Sequence, residues 1–241
     1  MQYIKIIKDL KINIDIAEVL RYQGYKMNKK SEISREILSI VEEEISYGYK
    51  LITPQGIYRL LEISQFISTE EIELSEGYIL KFSPKITKLL KFAHHLLVGV
   101  VTIGDLLEKE VSLHLFHKDF PHALALDAVG TVAVEDLSRK IRKSANEEVK
   151  KYGLETGRHF SPGYDDWDIT QQRIIFELIP TDRIGVSLTE GYMMFPRKSL
   201  SWLMGVGKST KKELINSFSD EKYDHNCVRC KWKSCQFRIK K

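Results

Sequence analysis

A chain of 241 residues with 43% hydrophobic side chains can bury one full-sized core, and one large domain or a domain with a small appendage is expected. Charged residues make up 29%, and the most apolar window, residues 96–103, has the length of one buried strand, so no membrane-spanning helix is expected. The net charge of +4 is uneven: from Lys208 onward there are 10 Lys/Arg against 4 Asp/Glu, leaving 27 basic and 29 acidic side chains on the rest. That near-neutral body carries no nucleic-acid footprint.

The first ten residues interleave Lys5, Lys8 and Asp9 with isoleucines and lack a small-residue cleavage site, so they do not read as a signal peptide. The chain is expected in the cytoplasm. Asp15, with Glu18 three residues on, predicts a helix start, and Gly24 a stop. A second helix is predicted over residues 31–47, where Ile33, Ile37, Ile40, Val41 and Ile45 recur at helical spacing, with Gly48 as its end. Residues 1–50 thus read as a helical N-terminal portion.

From there the pattern changes. Residues 56–63 and 70–82 read as strands, the latter turning around Ser75-Glu76-Gly77. Ser83-Pro84 opens a short helix, and residues 98–102 read as a buried strand. Two helices follow over 105–117 and 120–152, the second expected to bend at Gly130. A helix over 168–178 is stopped by Pro180, and 184–188 and 200–205 read as strands. Helices and strands cluster rather than alternate, which predicts an α+β fold: a mixed sheet with long helices, followed by a cysteine-bearing tail. The boundaries expected are 1–50, 51–207 and 208–241.

The chemistry concentrates in Gly157-Arg158-His159-Phe160-Ser161-Pro162-Gly163-Tyr164. Pro162 fixes φ, Gly163 permits positive φ, and Tyr164 offers a flat face with a hydroxyl. Such a loop can present backbone groups to a small polar ligand, and Arg158 and His159 add donors suited to a carboxylate. On composition alone it reads first as a tight structural turn between strand and helix.

The Pro-Gly-Tyr run resembles the Arg-Pro-Ala-Pro-Gly-Tyr loop of the activation domain of cobalamin-dependent methionine synthase, and Ser-Pro-Gly-Tyr is similar to the loop of its small stand-alone relatives. Residues 185–201, containing Leu188-Thr189-Glu190, Met194-Phe195-Pro196 and Ser199-Leu200-Ser201, resemble the family's Leu-Thr-Glu, Met-Trp-Pro and Ser-Val-Ser blocks. Thr102-Ile103-Gly104 and Leu126-Asp127-Ala128-Val129-Gly130 resemble a further segment of the stand-alone forms. The resemblance implies S-adenosylmethionine binding and reductive methylation of cob(II)alamin on a partner, the cobalamin-binding methionine synthase subunit. It also implies a flavodoxin-like or other one-electron reductant, with the chain contributing positioning rather than an acid or base.

Carried over residue by residue, Gly163 and Tyr164 match the family's Gly-Tyr, and Ser161 stands where the family has alanine. An ungapped alignment puts the family's arginine on His159, with Arg158 one residue early. Glu135 corresponds to a family glutamate that contacts the substrate's amino group. Read without the resemblance, Glu135 is a solvated helical glutamate.

All three cysteines lie in the tail, as Cys227-x2-Cys230-x4-Cys235 with His225 two residues ahead. Thiolates at this spacing can hold zinc with His225, or an iron–sulfur cluster through the cysteines. Two rival functions stay open: a non-catalytic docking or assembly subunit for a corrinoid protein, and a metal or electron-transfer protein centred on the tail. The His114, His117 and His122 group lacks a cysteine or a carboxylate pair at ligand spacing and is not read as a metal site. Gly205-Val206-Gly207-Lys208-Ser209 echoes a phosphate loop, but the motif requires glycine where Trp202 stands.

Overall fold

The computed structural model describes residues 3–25, 33–164 and 166–208. Its centre is an antiparallel sheet whose middle strands are β2 (Gln55–Phe66), β5 (His95–Thr102) and β9 (Ser199–Gly207). β3 (Glu71–Leu74) and β4 (Ile79–Lys81) extend it from the far half of β2, and β1 (Tyr3–Lys8) pairs with the near half of the same edge. β6 (Glu155–Phe160) forms the opposite edge beside β9. A separate hairpin joins β7 (Ser187–Leu188) to β8 (Met194–Phe195).

The middle strand explains the layering. Along β5, Leu97 and Val101 point to one face and Leu96, Val98 and Val100 to the other, and all are fully buried. Both faces must therefore be covered, since each such side chain contributes about 1.5–3 kcal/mol when taken from water. On one face lie α1 (Ile16–Tyr22), α2 (Arg35–Leu51), α4 (Leu106–Phe116) and the 31-residue α5 (Phe120–Lys150). On the other lie α3 (Pro84–Leu90) and α6 (Gln172–Leu178). This is a mixed α+β architecture with six helices among the described residues.

Local signals account for most element ends. Asp15 accepts from Ala17 N to start α1, and Gly24, at φ +93, follows its end. Ser34 accepts from Ile37 N to start α2. Three expectations are corrected. Gly48 does not end the second helix, which runs on to Leu51. Lacking a side chain, Gly48 lets Val129 of α5 approach to where a Cβ would stand 2.6 Å from Val129 Cγ1. Gly130 does not bend α5; it is the point where Leu107 and Lys198 pack against the helix. The N-terminal portion is not wholly helical, because residues 3–8 pair with Gln55 to Leu60 as β1. Among the described residues no helix is long and apolar enough to cross a membrane.

A close approach fixes the sheet's middle. Gly99 sits between Tyr58 and Trp202 on neighbouring strands, and the buried Trp202 indole lies over it. A methyl at Gly99 would collide with that ring, which has no room to withdraw. Gly99→Ala is expected to cost about 1–3 kcal/mol, read as a lower urea midpoint with an unchanged slope.

Candidate functional site

The site is built on edge strand β6 and the loop that leaves it. Asn146 of α5 pins the strand's beginning, its Oδ1 accepting from Thr156 N at 3.3 Å and Thr156 Oγ1 at 3.0 Å. The register with β9 slips by one residue between Thr156 and His159, so Gly157 and Arg158 form a bulge. Gly157 is required there because the Phe92 ring lies where its Cβ would be, 2.7 Å from Cζ.

The bulge decides which way the next side chains point. His159 stands opposite Met204 and faces α5, whereas Phe160 stands opposite Leu203 and enters the other core. The Arg158 guanidinium lies over the Phe160 ring, 5.3 Å from its centre. Arg158 and His159 are therefore adjacent in sequence but differently placed, the guanidinium over Phe160 and the imidazole against α5.

Burial against α5, with Arg142 and Arg158 close by, holds the His159 imidazole well below its usual pKa. At neutral pH His159 is an uncharged donor, and the positive charge beside it comes from the two arginines. Arg142 was not singled out from sequence. Its signal was its spacing: it lies seven residues after Glu135, two turns along the same face of α5. Since Asn146 meets Thr156 and Arg142 lies by His159, α5 and β6 run in opposite directions, and Glu135 is displaced towards the end of β6 where the loop begins. Glu135 is not a solvated helical carboxylate. Its Oε1 accepts from Tyr22 Oη of α1, and the Arg21 guanidinium stacks 4.2 Å over the Tyr22 ring while paired with Glu18.

The loop itself is a folded turn. Gly163, at φ +88, donates its N–H to Trp167 O at 2.8 Å, and Tyr164 N donates to Ser161 O at 3.1 Å. Ser161 Oγ donates to Ser201 O at 2.8 Å. The amides of Gly163 and Tyr164 are thus spent within the loop, contrary to the expectation that they would be presented to a ligand. The loop instead displays the Tyr164 ring, 69% exposed. Trp167 is the anchor: its indole is buried against Phe82, and its Nε1 donates to Lys81 O at 2.8 Å.

Segments distant in sequence converge at this end of the sheet. Ser199 Oγ donates to Thr102 Oγ1 at 2.9 Å, and Lys198 Nζ meets Asp127 at 2.8 Å and Thr131 Oγ1 at 2.8 Å. Ser201 donates to Gln172 Oε1 at 2.9 Å while its carbonyl holds Ser161. Blocks 102–104, 126–130, 157–164 and 185–201 are thereby tied together. Thr189 closes the tip of the β7–β8 hairpin by accepting from Met193 N. Gly205, Val206 and Gly207 lie within β9, a strand and not a phosphate loop.

His225, Cys227, Cys230 and Cys235 lie outside the described residues. Among the described residues no group of three or more His, Cys, Asp or Glu is arranged to hold a metal ion.

No family model matches the sequence, and no curated protein matches it. Among solved structures, the chain is similar to a MetH reactivation domain bound to AdoHcy, with a TM-score of 0.61 and 15% identity, over 87% of this chain and 80% of that one. At that identity the likeness shows a shared fold, that of the reactivation domain.

Two outcomes test this geometry. Trp167→Phe keeps an aromatic ring but removes the bond to Lys81 O and part of the buried indole volume, and is expected to cost about 2–3 kcal/mol in urea denaturation. A histidine held below its usual pKa binds its proton less well folded than unfolded, so its contribution is complete above about pH 6.5 and lost as pH falls below it. His159→Gln should therefore lose less stability than the parent between pH 7 and pH 5, measured by urea midpoints across that range.

Proposed function

We propose that this chain binds S-adenosylmethionine at the end of β6 and serves as a free-standing reactivation subunit for a cobalamin-dependent methionine synthase. The observation that carries the reading is the convergence just described. The four blocks that resemble the activation-domain family meet at one end of the sheet, in a fold shared with a MetH reactivation domain bound to AdoHcy.

The residues fit such a ligand through side chains. Tyr164 gives an exposed aromatic face for a purine, oriented by the positive φ of Gly163, where a Cβ would press on Ile169 Cδ1 at 3.3 Å. Arg158 and Arg142 supply positive charge suited to a carboxylate, while His159 gives a neutral donor. Glu135, held by Tyr22, is an acceptor for an ammonium group.

When bound, S-adenosylmethionine supplies a sulfonium methyl; a cob(II)alamin on the partner corrinoid protein accepts it together with one electron from a flavodoxin-like reductant. The chain's share is positioning. Tyr164, Gly163 and the α5 charges hold the donor in one orientation at an open edge of the sheet, and no residue is required to take or give a proton.

The tail is a second proposal, resting on sequence alone. Cys227, Cys230 and Cys235, with His225, would hold zinc as a structural site; alternatively the three cysteines would hold an iron–sulfur cluster, which alone could pass electrons towards the corrinoid. Anaerobically purified protein that contains neither zinc nor iron would overturn it.

Isothermal titration of the full chain tests the main reading. S-adenosylmethionine should bind, and Tyr164→Ala should weaken it roughly tenfold, the worth of one lost stacking face. Absence of heat with the intact chain would favour the docking-subunit alternative.

A further inference from the structure

One to two turns before Asp127, a cluster of ionisable groups joins α2 to the hairpin formed by α4 and α5. The hairpin turns through Lys118, a non-glycine residue at φ +62, and Asp119. The Asp119 carboxylate lies between two imidazoles: Oδ1 is 2.8 Å from His122 Nδ1, and Oδ2 is 3.3 Å from His114 Nδ1. The two rings stack with centres 5.7 Å apart and planes 17° from parallel. Their outer nitrogens face α2, His114 Nε2 at 3.9 Å from Glu44 Oε1 and His122 Nε2 at 3.9 Å from Glu43 Oε2.

This geometry makes the joint depend on a proton. Each ring's Nδ1 lies by Asp119, and a neutral imidazole has only one N–H. With that hydrogen on Asp119, Nε2 turns a bare lone pair towards an α2 carboxylate, and the two repel. A protonated ring has an N–H on both sides and attracts α2 and Asp119 together. Glu44 sharpens the contrast, being 4% exposed, with its Oε2 lacking a hydrogen-bond partner. The surrounding charges are unbalanced: α2 contributes Glu43 and Glu44, α4 contributes Glu110, which faces Tyr47, and the turn contributes Asp119. Facing them are His114 and His122, with Lys118 an exposed cation at the turn, while His117 packs edge-on to Phe116.

We propose that the contact between α2 and the α4–α5 hairpin is a proton-operated clasp, closed while His122, stacked on His114 and bonded to Asp119, carries a proton and loosened when that proton leaves. The hydrogen bond to Asp119 raises the pKa of His122, and burial raises that of Glu44. Both contribute stability present below their ordinary values and lost as pH rises through the folded ones. The bond to His122 lowers the pKa of Asp119, so its contribution is lost only as pH falls through that lowered value. The clasp is therefore tightest on the mildly acidic side of neutrality and slackens on the alkaline side. The opposite side of the same hairpin carries Leu113, Phe116, Phe120 and Leu124, 50%, 79%, 60% and 56% exposed, so the clasp sets how that apolar side is held relative to the sheet.

Hydrogen exchange of the full chain between pH 5.5 and 8.5, corrected for the intrinsic rate, tests this without any nucleoside, so its outcome is separate from the binding reading. Protection of α4, the start of α5 and the facing turns of α2 should fall by about threefold or more across the range, relative to β5 amides in the same sample. His122→Gln keeps a donor to Asp119 but cannot titrate, and should flatten that dependence. Glu43→Gln, at an exposed position, should reduce it. Hairpin protection in the parent that tracks β5 at every pH, or an unchanged slope in His122→Gln, would overturn the clasp.

Discussion

The long helix α5 lying across the sheet is the constraint on which the other placements depend. Ala133, Leu137, Ile141, Ala145 and Val149 are fully buried in the core beneath it, and that burial leaves the helix no freedom to rotate. Its flanks then become fixed positions. Asn146 sets where β6 begins, Arg142 sets the charge beside His159, and Glu135 meets Tyr22. Asp136 accepts from Asn13 N and pairs with Lys140, which also reaches Lys11 O. At the helix's beginning, Asp127 and Thr131 hold Lys198 and so the entry to β9. One packed stripe thus orders the N-terminal segment, the start of β6 and the entry to β9.

Where local signal and tertiary demand agreed, the elements were legible. The double-faced apolar run of β5, the turn at 75–77, Pro84 opening α3 and Pro180 ending α6 all mark real boundaries. The misses share a cause: each depended on a partner distant in sequence. β1 is amphipathic in no obvious way, with Lys5 and Lys8 among isoleucines, and becomes a strand because β2 offers it an edge. Gly48 and Gly130 look like interruptions, yet their missing side chains admit Val129 and Leu107. β6 has no alternation to read, because its bulge puts Arg158 and His159 out of step.

The candidate site was legible in the same uneven way. The loop from Ser161 to Tyr164 announced itself through proline and glycine, and its positive φ at Gly163 follows from that chemistry. What the residues could not tell was which groups the loop keeps for itself. The Gly163 and Tyr164 amides and the Ser161 hydroxyl are consumed by bonds to the protein's own carbonyls, which leaves the exposed Tyr164 ring as what the loop displays. Nor could sequence order separate Arg158 from His159; the bulge does so, leaving one as a cation over Phe160 and the other as a neutral ring by α5.

The anchoring of Trp167 to Lys81 has a wider consequence. β4 and β6 are opposite rims of the sheet, yet the segment following β6 is fastened by indole and by Gln171, whose Oε1 accepts from Lys81 N, to the last residue of β4. The segment acts as a strap, and the span between the two rims is part of what shapes it. Changes in the small outer strands β3 and β4, far from Tyr164 along the chain and remote from any ligand chemistry, would alter the tension on the strap and be felt at the tyrosine.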